Sequence, residues 1–170
     1  MFIAGFVREF SSSSHAARVA ALFLGLGQVA GSLAGAQEVP SPAEYFGYGA
    51  GERITDSRSV HSYAEALASA SDQVELRQYG ITPEGRPLLL LVLSRSGTLN
   101  QVDRSLESLA RLAEPDLPAT DASEIARREK AVVWFTYGVH GDESSSTEAA
   151  LWTAWDLAAG TNGSSGILDS

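Results

Sequence analysis

The chain has 170 residues, 44% of them hydrophobic, with no cysteine and a formal net charge of −9 at neutral pH. That length allows one domain with a sizeable core, burying roughly two-thirds of its unfolded surface. Without cysteine there is no disulfide framework, no thiolate nucleophile and no Cys-ligated zinc, and the acidic balance argues against a nucleic-acid or anionic-membrane partner.

Residues 1–36 read as an export signal. Arg8 and Arg18 stand against the single acid Glu9, the apolar segment Val19 to Leu26 follows, and Ala34-Gly35-Ala36 supplies the small residues that a signal peptidase needs. Cleavage is expected near Ala36–Gln37. The apolar part is far shorter than the roughly 20 residues that span a bilayer, and Gly25, Gly27, Gln28, Gly31 and Ser32 dilute it. The expected location is secreted, periplasmic or extracellular, with no membrane attachment after cleavage. Removal of the leader leaves 10 basic against 20 acidic residues.

Residues 37–55, with Pro40, Pro42 and a Gly-rich aromatic stretch at 45–51, suit an irregular leading segment. Its aromatics are expected to pack against the domain. Val60, Tyr63, Ala64, Leu67 and Ala70 mark one face of a helix over 57–71, with Asp56 or Ser57 as N-cap. Val74 to Tyr79 alternates in polarity and Leu88 to Leu93 is continuously apolar, which predicts two strands, the second buried on both faces. Between them, Pro83 and Gly85 take the second and fourth positions of a turn and predict a hairpin.

Leu99, Val102, Leu106, Leu109 and Ala113 predict an amphipathic helix, and residues 114–123 a surface loop. Ala131 to Tyr137 predicts a third strand, apolar on both faces, with Trp134 and Phe135 in the sheet core. A last helix over 143–159 ends at Gly160, with Trp152 and Trp155 packed along it. The whole is α/β: a partial mixed β-sheet flanked by helices.

The chemistry gathers at Thr136-Tyr137-Gly138-Val139-His140-Gly141-Asp142-Glu143. In open α/β sheets ligands bind beyond the carboxyl ends of strands, and His140 and Glu143 lie just past the third one. Residues three apart at a helix start can face the same way, and zinc accepts both imidazole nitrogen and carboxylate oxygen. The bare spacing is not specific, because the chain holds three histidines and 13 glutamates. A plainer reading has Asp142 capping the helix, Glu143 and Glu148 favouring its N-terminal end, and His140 in a polar loop. Elsewhere His61 reads as a boundary or surface histidine, Arg86 as a turn residue with a substrate role as the alternative, and Glu148 as an exposed helix charge. There is no Gly-x-Ser-x-Gly elbow and no Gly-rich phosphate loop.

Tyr137-Gly-Val-His-Gly-Asp-Glu143, with the Ser/Thr-rich helix start and Glu148-Ala-Ala-Leu151, resembles the first zinc-binding motif of the carboxypeptidase A-like zinc carboxypeptidases. Upstream, Tyr45-Phe-Gly-Tyr48, the first helix, Glu84-Gly-Arg-Pro-Leu88 and the apolar strand follow the order of secreted bacterial members, so the likeness covers most of residues 43–160. The resemblance implies that His140 and Glu143 are metal ligands for Zn2+ and that the substrate is a peptide or protein shortened from its C-terminal end. It also implies a second histidine, a general-base glutamate and substrate-binding arginines from further downstream. Asp142 stands where some digestive members carry arginine, so their specificity does not carry over.

By the same resemblance, residues 37–170 are the N-terminal portion of the catalytic domain. The general-base glutamate is expected beyond Ser170, and the chain is expected to be inactive alone. Two other functions fit the same residues: a zinc-dependent deacylase of N-acyl amino acids, and a non-catalytic remnant or binding domain.

Overall fold

The computed structural model describes residues 2–8, 38–164 and 166–168. The apolar part of the expected leader, its cleavage site and His15 lie outside the described residues. The elements, in chain order, are β1 (Phe2–Arg8), α1 (Pro42–Phe46), α2 (Ser57–Ala70), β2 (Val74–Ile81), β3 (Pro87–Leu93), α3 (Val102–Ala110), α4 (Ala119–Arg128), β4 (Ala131–Tyr137) and α5 (Ser144–Ala159).

The strands form one mixed sheet in the order β2-β3-β1-β4. β2 and β3 are the expected hairpin, antiparallel from Val74↔Leu93 to Ile81↔Pro87. Its turn is closed by Thr82 N–H donating to the Arg86 carbonyl at 2.8 Å and Gly85 N–H donating to the Thr82 carbonyl at 2.9 Å. Gly85 sits at φ 80°, a left-handed value that glycine adopts without a Cβ penalty. β1, from within the expected leader, pairs parallel to β3 and antiparallel to β4.

The period-two alternation of β3 divides its side chains between two layers. Leu89, Leu91 and Leu93 join Val60, Tyr63, Ala64 and Leu67 of α2 and Ala150, Leu151, Ala154 and Ala158 of α5 in the main core. On the opposite face Val92 packs with Val102 of α3, flanked by Leu90, Leu99 and Val132. A strand that is apolar at every position therefore finds cover on both sides, as its sequence predicts.

Three expectations need correction. The leading segment is not wholly irregular, because α1 forms over Pro42–Phe46. Ser41 and Glu44 close a capping box there, with Ser41 N–H donating to Glu44 Oε2 at 2.7 Å and Glu44 N–H donating to Ser41 Oγ at 3.2 Å. The Ser41 hydroxyl also donates to Glu44 Oε2, at 2.7 Å, and this bond, then that from the Ser41 N–H, holds the Glu44 carboxyl below its ordinary pKa. The expected surface loop gives way to helix at Ala119, where Asp121 lies in the first turn and Arg127 and Arg128 in the last, the charge order that the helix dipole favours. α4 buries only Ile125, too little apolar periodicity to reveal a helix.

The third correction concerns β4. Trp134 and Phe135 do not lie in the core: Trp134 is 57% exposed and Val133 and Phe135 are exposed too, while only Val132 and Tyr137 of the strand pack against buried clusters. The strand is the outer one of the sheet, so one of its edges meets no strand among the described residues.

The leading aromatics pack as expected. Tyr45 and Phe46 place their ring centroids 5.2 and 5.5 Å from that of Tyr63. Tyr63 is fully buried and its hydroxyl donates to the Pro40 carbonyl at 2.8 Å. Burial, then the nearby Glu44 carboxylate, raises the Tyr63 phenol well above its ordinary pKa. Trp155 of α5 ties down the same segment, its indole N–H donating to the Val39 carbonyl at 3.0 Å.

Candidate metal centre

β4 ends at Tyr137 and the chain turns sharply at Gly138, whose φ is 64°. His140 and Asp142 follow in the connection to α5, and Glu143 takes the N-cap position of that helix. The Glu143 N–H donates to the His140 carbonyl at 3.3 Å, which closes the turn. The side chains then converge, with His140 Nδ1 2.9 Å from Glu143 Oε1. They are 72% and 44% exposed, so the pair faces solvent at the mouth of the helix.

The plainer reading had Asp142 capping the helix, Glu143 and Glu148 favouring its N-terminal end, and His140 in a polar loop; only its capping part is at odds with the structure. At the start of α5 no side-chain cap bond is made. The Glu143 carboxylate points at the imidazole instead of the helix amides. Two donors bound to one tetrahedral zinc at about 2.0–2.2 Å lie roughly 3.3 Å apart, so the observed convergence suits a shared cation after a small opening. As chemistry, a neutral imidazole and a carboxylate make two of the three protein ligands that a catalytic zinc site requires. Among the described residues no group of three His, Cys, Asp or Glu side chains is placed to hold a metal.

Gly138 sets the direction of the connection. A Cβ there would meet only Thr147 Oγ1, at 3.6 Å, so space is not the obstacle; the left-handed backbone is. Gly138→Ala is expected to cost about 1–2 kcal/mol. A urea titration checks this, and unchanged stability would mean that the turn relaxes into another conformation.

Glu148 is not the expected exposed helix charge, whereas His61 sits at the boundary as expected. Glu148 is half-buried, and its Oε1 accepts from the Thr55 backbone N–H at 3.0 Å and from the Thr55 hydroxyl. Thr55 is itself buried and bonded at 2.9 Å to the Tyr48 hydroxyl, which pins the leading segment to α5. His61 lies 3.5 Å from Glu65 Oε1 and is 30% exposed. It also lines a cavity of about 560 Å³ with Arg58, Arg86, Leu89, Tyr137 and Gly138.

The sheet register explains that meeting. Phe2 of β1 is paired with both Leu89 of β3 and Tyr137 of β4, so the β2–β3 turn lies at the end of the sheet where β4 delivers His140. Arg58 carried no signal in the sequence, because which turn approaches which strand end depends on pairing across the sheet.

A family model described as zinc carboxypeptidase matches residues 60–166, well over half of the chain. The matched segment runs from α2 past the end of α5 and contains His61, Arg86, His140 and Glu143. No curated protein sequence and no solved structure matches the chain.

Proposed function

The chain belongs to the zinc carboxypeptidase family, and on that premise we propose that His140 and Glu143 are two ligands of a zinc site that serves removal of C-terminal residues from peptides. The observation that carries this reading is the 2.9 Å approach of His140 Nδ1 to Glu143 Oε1 at the carboxyl end of β4, with no cap bond competing for the glutamate. A bound zinc supplies Lewis acidity to a peptide carbonyl and lowers the pKa of water.

The chain's own part is to hold the donors. Glu143 keeps the imidazole turned toward the common point, and the Gly138 turn sets where both residues leave the sheet. Peptide hydrolysis also needs a third ligand and a group that moves protons. No third metal-ligating side chain joins the pair among the described residues.

The expected results follow from that donor count. The 170-residue chain binds zinc weakly, His140→Ala and Glu143→Gln each weaken binding at least tenfold, and the chain shows no carboxypeptidase turnover by itself. Isothermal titration with zinc and a peptide-hydrolysis assay check these outcomes. Equal zinc affinity in all three chains would remove the metal reading. Turnover abolished by His140→Ala would show that the site completes itself from residues not placed beside the pair.

We further propose that the N-terminal segment directs export, on the strength of its basic start, apolar stretch and small residues before Gln37. No helix among the described residues is long and apolar enough to cross a membrane. The expected partner is a peptide or protein, not a nucleic acid, because a net charge of −9 disfavours a polyanion.

A further inference from the structure

The cavity beside the metal pair is lined by basic side chains in an acidic chain. Arginine and lysine number 12 against 21 acidic residues overall, yet the cavity wall holds Arg58 and Arg86 and no aspartate or glutamate. The rest of the wall is mixed, with Val60, Pro87, Leu89 and Tyr137 beside the hydroxyl residues Thr55, Ser57 and Thr147. At about 560 Å³ it falls within the usual range for small-molecule sites, roughly 300–1,000 Å³.

We propose that this cavity binds a carboxylate-bearing side chain of a peptide, held by Arg58 and Arg86, with its methylene stem against Leu89 and Val60. The peptide part of the assignment rests on the zinc carboxypeptidase reading above; the anion site itself does not. A planar guanidinium suits a carboxylate because it offers two parallel N–H donors. Arg58 enters from the first turn of α2 and Arg86 from the β2–β3 turn, so the two charges reach the cavity from different elements.

The acids nearby do not fill this role. Asp56 spends its carboxylate on the amides of Arg58 and Ser59, at 2.9 and 3.1 Å, and on the Ser59 hydroxyl at 2.7 Å. These bonds, the Ser59 hydroxyl first, hold it below its ordinary pKa. Glu65 pairs with His61 outside the cavity wall. Glu84 does pair with Arg86, but both side chains are more than 60% exposed, and such pairs contribute little, so a ligand carboxylate displaces Glu84 at small cost. Gly138 belongs to the wall and stands two residues before His140, which puts the cavity next to the metal pair along the chain.

The test is ligand-observed NMR on the 170-residue chain with N-acetyl-L-glutamate, N-acetyl-L-glutamine and inorganic phosphate as probes. The glutamate probe is expected to bind at least tenfold more tightly than the other two. The Arg58→Gln, Arg86→Gln double variant is expected to lose that preference, and His140→Ala to keep it. Equal binding of glutamate and glutamine probes by the unaltered chain would overturn the proposal without any variant having to fold. Tighter binding of phosphate would overturn it in favour of a phosphate site. Retained preference in a double variant with an unchanged circular dichroism spectrum would overturn the assignment to the arginines. Because none of these readouts uses zinc, failure of the metal reading and failure of this one are separately visible.

Discussion

A chain that begins at Gln37 is expected to lose its cooperative unfolding transition and to aggregate at micromolar concentration. β1 stands between β3 and β4, pairing with β3 over Phe2–Phe6 and with β4 over Phe2–Arg8. Its removal frees one edge of β3 and leaves β4 without a partner strand among the described residues. β4 already exposes Val133, Trp134 and Phe135, and an apolar strand with free N–H and C=O groups is a template for pairing with another chain. Light scattering and a circular dichroism melt of the two chains side by side check this. A monomeric chain from Gln37 with an unchanged midpoint would show that β1 is dispensable to the sheet. This expectation and that of cleavage at Ala36–Gln37 oppose each other: loss of folding from Gln37 would count against the cleavage, and the monomeric outcome would support it.

Leu91→Ala is expected to cost about 2–5 kcal/mol, the largest effect of any single core truncation proposed for this chain. Leu91 is fully buried at the centre of β3, opposite Leu76 of β2 and Ala4 of β1. It belongs to the layer between the sheet and the α2 and α5 helices, where strands on either side limit how far the backbone can move to fill a void. Leu106→Ala is the control: Leu106 is 41% exposed on α3, and its loss is expected to stay within about 0.5 kcal/mol. Urea denaturation of both variants checks the contrast. Similar midpoints would mean that the β3 layer is not the stabilising core.

Local patterns carried the elements on which the site is built. Tyr63 and Leu67 at helical spacing predict α2, and both are fully buried. Pro83 and Gly85 predict the hairpin turn, and Gly85 adopts the left-handed conformation that only glycine takes cheaply. The spacing of His140 and Glu143 was legible, but both precede the helix, and the turn closed by the Glu143 N–H on the His140 carbonyl, not helical geometry, brings their side chains together. Where the patterns failed, the deciding term was not local. Trp134 and Phe135 have core composition, but burial requires a neighbour that composition cannot specify. α4 escaped notice because a helix held by one buried isoleucine leaves almost no hydrophobic period.

By itself, the sequence determined the periodicities that make α2, β2, β3, β4 and α5, the turn that joins the hairpin, and the His-x-x-Glu spacing beyond β4. These depend on backbone preferences and on side chains a few residues apart, so a single stretch of chain contains the cause. Only the tertiary structure decided that β1 separates β3 from β4, that β4 faces solvent, that Glu148 holds Thr55, and that Arg58, His61 and Arg86 share one cavity. Those outcomes depend on which strand edges pair and in what register, and β3 and β4, apolar on both faces, lack the alternation that would mark it.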